Sequence, residues 1–159
     1  MTHLRTAPVP GLRARAAVEQ FLLWGIRTWV RGFDGKPWKM AEMREGFAAI
    51  NAGAAGDHLE HAMTLFAGGA EGAVYINCPT CPTVTADEHN LLLAAAFCQR
   101  GWSDAAARLL SDWLPPAALR RAQPPLTQAA FALDESGYRL PLRERAVRAP
   151  AAEPMIGAA

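Results

Sequence analysis

Residues 78–101, CPTCPTVTADEHNLLLAAAFCQRG, hold two cysteines at CxxC spacing, a helix start, the longest apolar run of the chain and its third cysteine. Thr85 and Glu88 stand three apart, the spacing of a capping box. There the hydroxyl accepts from the third helical amide and the carboxylate reaches back to the amide of the cap. Asp87 adds negative charge at the positive end of the helix dipole, and Gly101 can take left-handed backbone past the C-terminus. These signals predict a helix over residues 86–100, about four turns long. The run LLLAAAF at 91–97 leaves it almost no polar face, the mark of a helix packed on several neighbours. The fold class expected from it is all-α, a single-domain bundle of five to six short helices around this central one.

Towards the N-terminus, residues 1–12 carry Pro8, Pro10 and Gly11 and read as a flexible arm. Over 13–30, Val18, Phe21, Leu22, Ile26, Trp29 and Val30 recur at three- and four-residue spacing, a helical pattern. Gly32, Asp34 and Gly35 break it. A second helix opens at Pro37, whose fixed φ suits a first turn, and carries Met40, Met43, Phe47 and Ile50 until Gly53 and Gly56. A short third helix covers about 57–67, with His58 inside its apolar arc and His61 just outside.

Towards the C-terminus, Ser103 caps a helix bearing Ala106, Leu109, Leu110, Trp113 and Leu114, stopped by Pro115 and Pro116. A turn or two over 117–122 precedes Pro124 and Pro125, and a last helix spans 126–136 before Gly137. The β-prone AVYIN (73–77) and YRLPL (138–142) are expected to pair as a two-stranded ribbon, with Pro141 confining the second to an edge. The helical domain then covers 13–144. Residues 145–159, rich in Ala and Pro, have too little apolar surface to order themselves and read as a disordered tail.

Composition narrows the function classes. With 159 residues and a formal net charge of +1, the chain is long enough for one real core and lacks the basic surplus that phosphate binding requires. No nucleic-acid partner is expected. The arginines of the C-terminal third, from Arg120 to Arg148, read as a solvated face. No apolar run approaches the roughly 20 residues of a membrane helix, and the first residues show no secretory h-region, so no membrane partner and a cytoplasmic location are expected. Three cysteines, an odd number, fit reduced thiols or metal ligands better than a disulfide framework.

Cys78-Pro79-Thr80-Cys81 has the spacing that lets two thiolates grip one tetrahedral ion from a single turn. These four residues resemble half of a zinc knuckle of the CPxCG type found in zinc ribbons and rubredoxin-like sites. The sequence departs from that pattern at Pro82, which has no N–H to give a cysteine sulfur. There is no second CxxC, so other ligands must come from elsewhere. His89 lies one turn into the helix fed by the loop, and His58 sits on the buried edge of the third helix. Cys98, nine residues beyond His89, faces the opposite way and reads as a small core residue. The expected site is therefore Cys78, Cys81, His89 and His58, with His61 as substitute for the last, holding a structural zinc.

A competing reading leaves the thiols metal-free, and a third uses them for redox chemistry. Against the third, Cys81 stands four residues ahead of the helix cap, too far for the dipole to lower a thiol pKa, and no βαβ setting is present. Glu-x-x-His pairs, phosphate loops, dinucleotide fingerprints and Gly-x-Ser-x-Gly elbows are absent from the sequence. The hairpin around Gly101 is similar to one tetratricopeptide unit, which implies close packing of two helices, but only one copy occurs. Trp38 and Trp102, at helix starts, suit partial exposure and a protein interface. The functional expectation is a non-enzymatic cytoplasmic regulatory or adaptor protein with a Cys/His zinc site and a protein partner. A metal-free helical interaction domain or a small CxxC redox protein stands as the alternative.

Overall fold

The computed structural model describes residues 9–148, in which the regular structure is entirely helical. A short 3-10 turn at Leu12–Ala14 leads into six α-helices: α1 (Ala17–Phe33), α2 (Trp38–Ala49), α3 (Gly53–Gly69), α4 (Ala86–Gln99), α5 (Ser103–Leu110) and α6 (Pro116–Glu135). The cap of α4 is built as its sequence requires: Thr85 Oγ1 accepts from Glu88 N at 3.0 Å and Glu88 Oε2 accepts from Thr85 N at 2.9 Å. Gly101, with φ 71°, ends the helix in left-handed backbone. Twelve of the 14 residues of α4 are buried, and the six from Leu91 to Ala96 divide between two apolar clusters. Leu92, Ala95 and Ala96 pack with Leu23, Ile26, Trp29, Phe47 and Leu59 of α1–α3, while Leu91, Leu93 and Ala94 pack with Phe66, Leu109, Leu110 and Trp113.

Glycines set the approach of the N-terminal helices. Asn51 takes a left-handed φ of 58° between α2 and α3, a conformation asparagine tolerates. The chain re-enters a helix at Gly53, four residues before the sequence pattern resumes. Gly56 then lies under Phe47, where an added Cβ would stand 2.8 Å from the Phe47 Cβ. Gly56, expected to help end α2, thus serves the packing of α3 on Phe47, while Gly53 opens that helix with nothing within 4 Å of its Cβ position.

Three expectations about the second half are corrected. The region 116–136 is one helix, not a turn followed by a helix, and it runs through Pro124 and Pro125. Ala122, Pro125, Ala129 and Leu133 form one buried stripe across the prolines, and the carbonyls that lose their donors belong to the exposed Arg120 and Arg121. Packing of that stripe outweighs the local penalty of proline. No ribbon forms among the described residues: AVYIN is fastened to Asp87 and Glu88 at the start of α4, and YRLPL to Gln99 and Arg100 at its end. A helix of that length separates them by about 20 Å.

The third correction concerns residues 145–148, assigned from sequence to the tail. They continue an extended strap, 138–148, that runs back along α4. Gln99 Nε2 donates to Tyr138 O (2.8 Å) and Gln99 Oε1 accepts from Leu140 N (2.8 Å). Further along, His89 meets Glu144 O (2.7 Å), Asn90 holds Ala146, and Arg148 pairs with Asp87 (2.5 Å). Residues 1–8 of the expected arm and 149–159 of the expected tail lie outside the described residues.

Candidate functional site

The CxxC segment is a hydrogen-bonded turn: Cys81 N donates to Cys78 O at 3.1 Å, with Pro79 and Thr80 at its corner. Both cysteines are half-buried free thiols. Such a turn holds its first and last Cα within about 7 Å, which overlaps the separation a disulfide spans. Each sulfur has a hydroxyl beside it, Thr80 Oγ1 at 3.9 Å from Cys78 and Thr83 Oγ1 at 3.2 Å from Cys81.

The turn rests on a buried ion pair. Arg27 of α1 and Glu88 of α4 are 1% and 0% exposed and meet through two contacts, Nε to Oε1 at 2.8 Å and Nη2 to Oε2 at 3.0 Å. The remaining donors of Arg27 reach the carbonyls of Cys81 (2.8 Å) and Thr83 (2.7 Å). Glu88 also accepts from Asn77 N at 2.8 Å, so both flanks of the CxxC turn hang from one charge pair. Arg31 stands one turn further along α1. The Thr80 hydroxyl, with Arg31 as a smaller influence, lowers the Cys78 thiol below its ordinary value.

The other two expected ligands are placed differently. His89 is buried, but its ring faces Arg15 and the strap: Arg15 Nη2 lies 2.8 Å from Nδ1, and Glu144 O lies 2.7 Å from Nε2. Arginine can only donate and a carbonyl can only accept, so the ring is the neutral tautomer with its proton on Nε2. Burial, with Arg15 and Arg143 nearby, pushes its pKa below the usual histidine value. His58 sits half-buried near the start of α3, and His61 is exposed. The structure therefore joins Cys78 to Cys81 but brings neither histidine to them. Among the described residues no three His, Cys, Asp or Glu side chains converge on a point that could hold an ion. Cys98 is 1% exposed, and burial raises its thiol pKa, as fits a core residue.

The segment that leads into the CxxC turn borders an apolar groove of about 400 Å³. Trp29, Val30 and Phe33 of α1, Phe66 of α3 and the segment carrying Val74 and Ile76 line it. Phe33 is 61% exposed at its rim and stacks on Trp29, ring centres 5.1 Å apart. Sequence reasoning missed the arginines of α1. The signal was present: Arg27 stands among Ile26, Trp29 and Val30 on a core-facing helix, where an unpaired charge would be costly.

Comparison of the chain with protein families, with curated proteins and with solved structures finds no match.

Proposed function

We propose that the protein is a small thiol-based redox protein in which Cys78 and Cys81 cycle between dithiol and disulfide. The observation that carries this reading is the hydrogen-bonded turn from Cys81 N to Cys78 O, a geometry that keeps the Cα atoms of two free cysteines within about 7 Å, a range overlapping that of disulfides. Two features support it. The Arg27–Glu88 pair fixes the loop on both flanks, and the Thr80 hydroxyl, with Arg31 as a smaller influence, holds the Cys78 thiol below its ordinary value.

In this reading Cys78, as thiolate, attacks one sulfur of a partner disulfide. A mixed disulfide forms and the other partner sulfur leaves as a thiolate, which takes up a proton. Cys81 then loses its proton and attacks the Cys78 sulfur, closing the Cys78–Cys81 disulfide and releasing the second partner thiol. Two electrons pass to the partner, which is the oxidant.

The test is equilibration of the reduced protein in glutathione buffers of graded potential, followed by alkylation and mass measurement. A reversible two-electron transition assigned to Cys78 and Cys81, with a trapped glutathione adduct in Cys81→Ser, is the expected result. Purification with about one zinc per chain, lost in Cys78→Ser, and no disulfide between the two cysteines would overturn it in favour of a structural metal site.

A further inference from the structure

The segment leading into the CxxC turn has two unlike edges. Ala73 O accepts from Arg148 Nη2 (3.1 Å), Tyr75 N donates to Asp87 Oδ2 (2.9 Å), Tyr75 O accepts from Thr85 Oγ1 (2.6 Å) and Asn77 N donates to Glu88 Oε1 (2.8 Å). Alternate residues thus turn their backbone groups towards α4. In an extended chain the residues between them turn theirs the other way. Among the described residues, the N–H and C=O groups of Val74 and Ile76 have no hydrogen-bond partner. Four main-chain groups, at alternate residues, are thus left without a partner within the segment. Proteins normally cover or blunt such an edge.

The same two residues line the apolar groove together with Val30 and Phe33. Ile76 is two residues from Cys78, a separation of at most about 7 Å along extended chain. An open edge, an apolar slot and a thiol pair therefore follow one another within a single short segment.

We propose that the Val74–Ile76 edge is the docking strand for an extended, disulfide-bearing segment of a partner polypeptide, which adds to it as a β-strand and lays an apolar side chain beside Phe33. The choice of a polypeptide follows from the edge: donors and acceptors that alternate at strand spacing are met by another main chain, and the groove reads one of its side chains. The partner's disulfide follows from the position of Cys78. The inference rests on the redox reading above and adds to it the class of substrate.

The experiment compares two disulfides with the same leaving group. One is a peptide of about eight residues, alternating Val and Thr around one cysteine that carries thionitrobenzoate as a mixed disulfide. The other is cysteine carrying thionitrobenzoate alone. Thiolate attack on the cysteine sulfur releases the coloured anion in both cases. The reduced wild-type chain is expected to react roughly tenfold faster, or more, with the peptide. Val74→Pro removes a docking N–H that makes no internal bond, and is expected to bring the ratio of the two rates near one. Val74→Ile keeps the N–H and the preference, and thermal unfolding of the Pro variant checks that it folds. Equal wild-type rates, or a preference that survives Val74→Pro, would overturn the docking strand. So would a dimer of the chain that occupies this edge and must dissociate before the peptide reacts. Failure of both disulfides to react sinks the redox reading instead. Docking is then read by fluorescence anisotropy of the same peptide, labelled and with serine for cysteine: binding lost in Val74→Pro sustains it, and no binding overturns it.

Discussion

Asn90 grips Ala146 by both of its backbone groups, Nδ2 donating to the carbonyl at 2.9 Å and Oδ1 accepting from the N–H at 2.9 Å. The asparagine is fully buried in α4, and the alanine lies 56 positions along the chain, in the strap. A side-chain amide here does what a neighbouring strand would do, satisfying a buried peptide unit from a helix. Asn90→Leu leaves that peptide unit without partners. The expected loss is about 2–4 kcal/mol, from two unmet buried groups, read by urea unfolding. Proteolytic cleavage should increase within 138–148 before it increases elsewhere.

His89 predicts a pH dependence. Its folded form is neutral, because Arg15 donates to Nδ1 and the ring is buried, so its pKa is lowered on folding. Arg15, Arg143 and Glu19 are the charges around it. A depressed histidine contributes stability that is full above its unfolded value of about 6.5 and is lost as pH falls towards the folded value. Wild type should lose stability as pH falls below about 6.5, and His89→Gln should lose less over the same range.

Glu19 acts in a lower window. Burial pushes its pKa up, but Arg143, the Ala16 amide and Arg15 outweigh burial and hold it below the usual carboxylate value. Its contribution is present above about pH 4.5 and is lost as pH falls through the folded value. Arg143→Met should flatten the acid limb of the stability curve while leaving the histidine limb visible in calorimetric melts.

Breaking the buried pair beneath the thiols should be severe. Arg27→Met strands Glu88 and frees the carbonyls of Cys81 and Thr83. The expected cost is about 3–5 kcal/mol. Hydrogen exchange at residues 77–85 should rise more than in α5 or α6, because the loop hangs from this pair.

Two glycines in one helix should respond oppositely to alanine. At Gly56 the new methyl meets the Phe47 side chain at 2.8 Å, in the core, where overpacking costs about 1–3 kcal/mol. Nothing lies within 4 Å of the corresponding position at Gly53. Gly53→Ala should therefore be neutral or stabilise by a few tenths of a kcal/mol through lower chain entropy. Paired thermal melts measure the difference.

Much of the helical content was legible because it is written locally. The Thr85/Glu88 box and Gly101 bracket α4 within a residue, and Pro37 opens α2 beside its observed start. The exposure of Trp38 and Trp102 and the burial of Cys98 also followed from position in the helical pattern. Of the arginines of the C-terminal third, Arg120, Arg121, Arg139 and Arg145 are exposed, as a solvated face requires. But Arg139, Arg143, Arg145 and Arg148 each pair with an acid, at Asp134, Glu19, Asp112 and Asp87, and Arg143 and Arg148 are partly buried in doing so. These acids come from α1, α4, the residues after α5 and α6, and no pattern within the arginine-rich segment names them.

Sequence alone determined a helix over 86–100, observed at Ala86–Gln99, its apolar character on nearly every side, and two cysteines at CxxC spacing just ahead of it. Each of these depends on groups a few residues apart, whose geometry the backbone settles by itself. The tertiary structure decided which way His89 points, that α6 runs through two prolines, that the strap lies along α4, and that the thiol turn hangs from Arg27. Those outcomes depend on buried charges and peptide groups finding partners tens of residues away. Only the packed arrangement determines which partners are within reach when water is excluded.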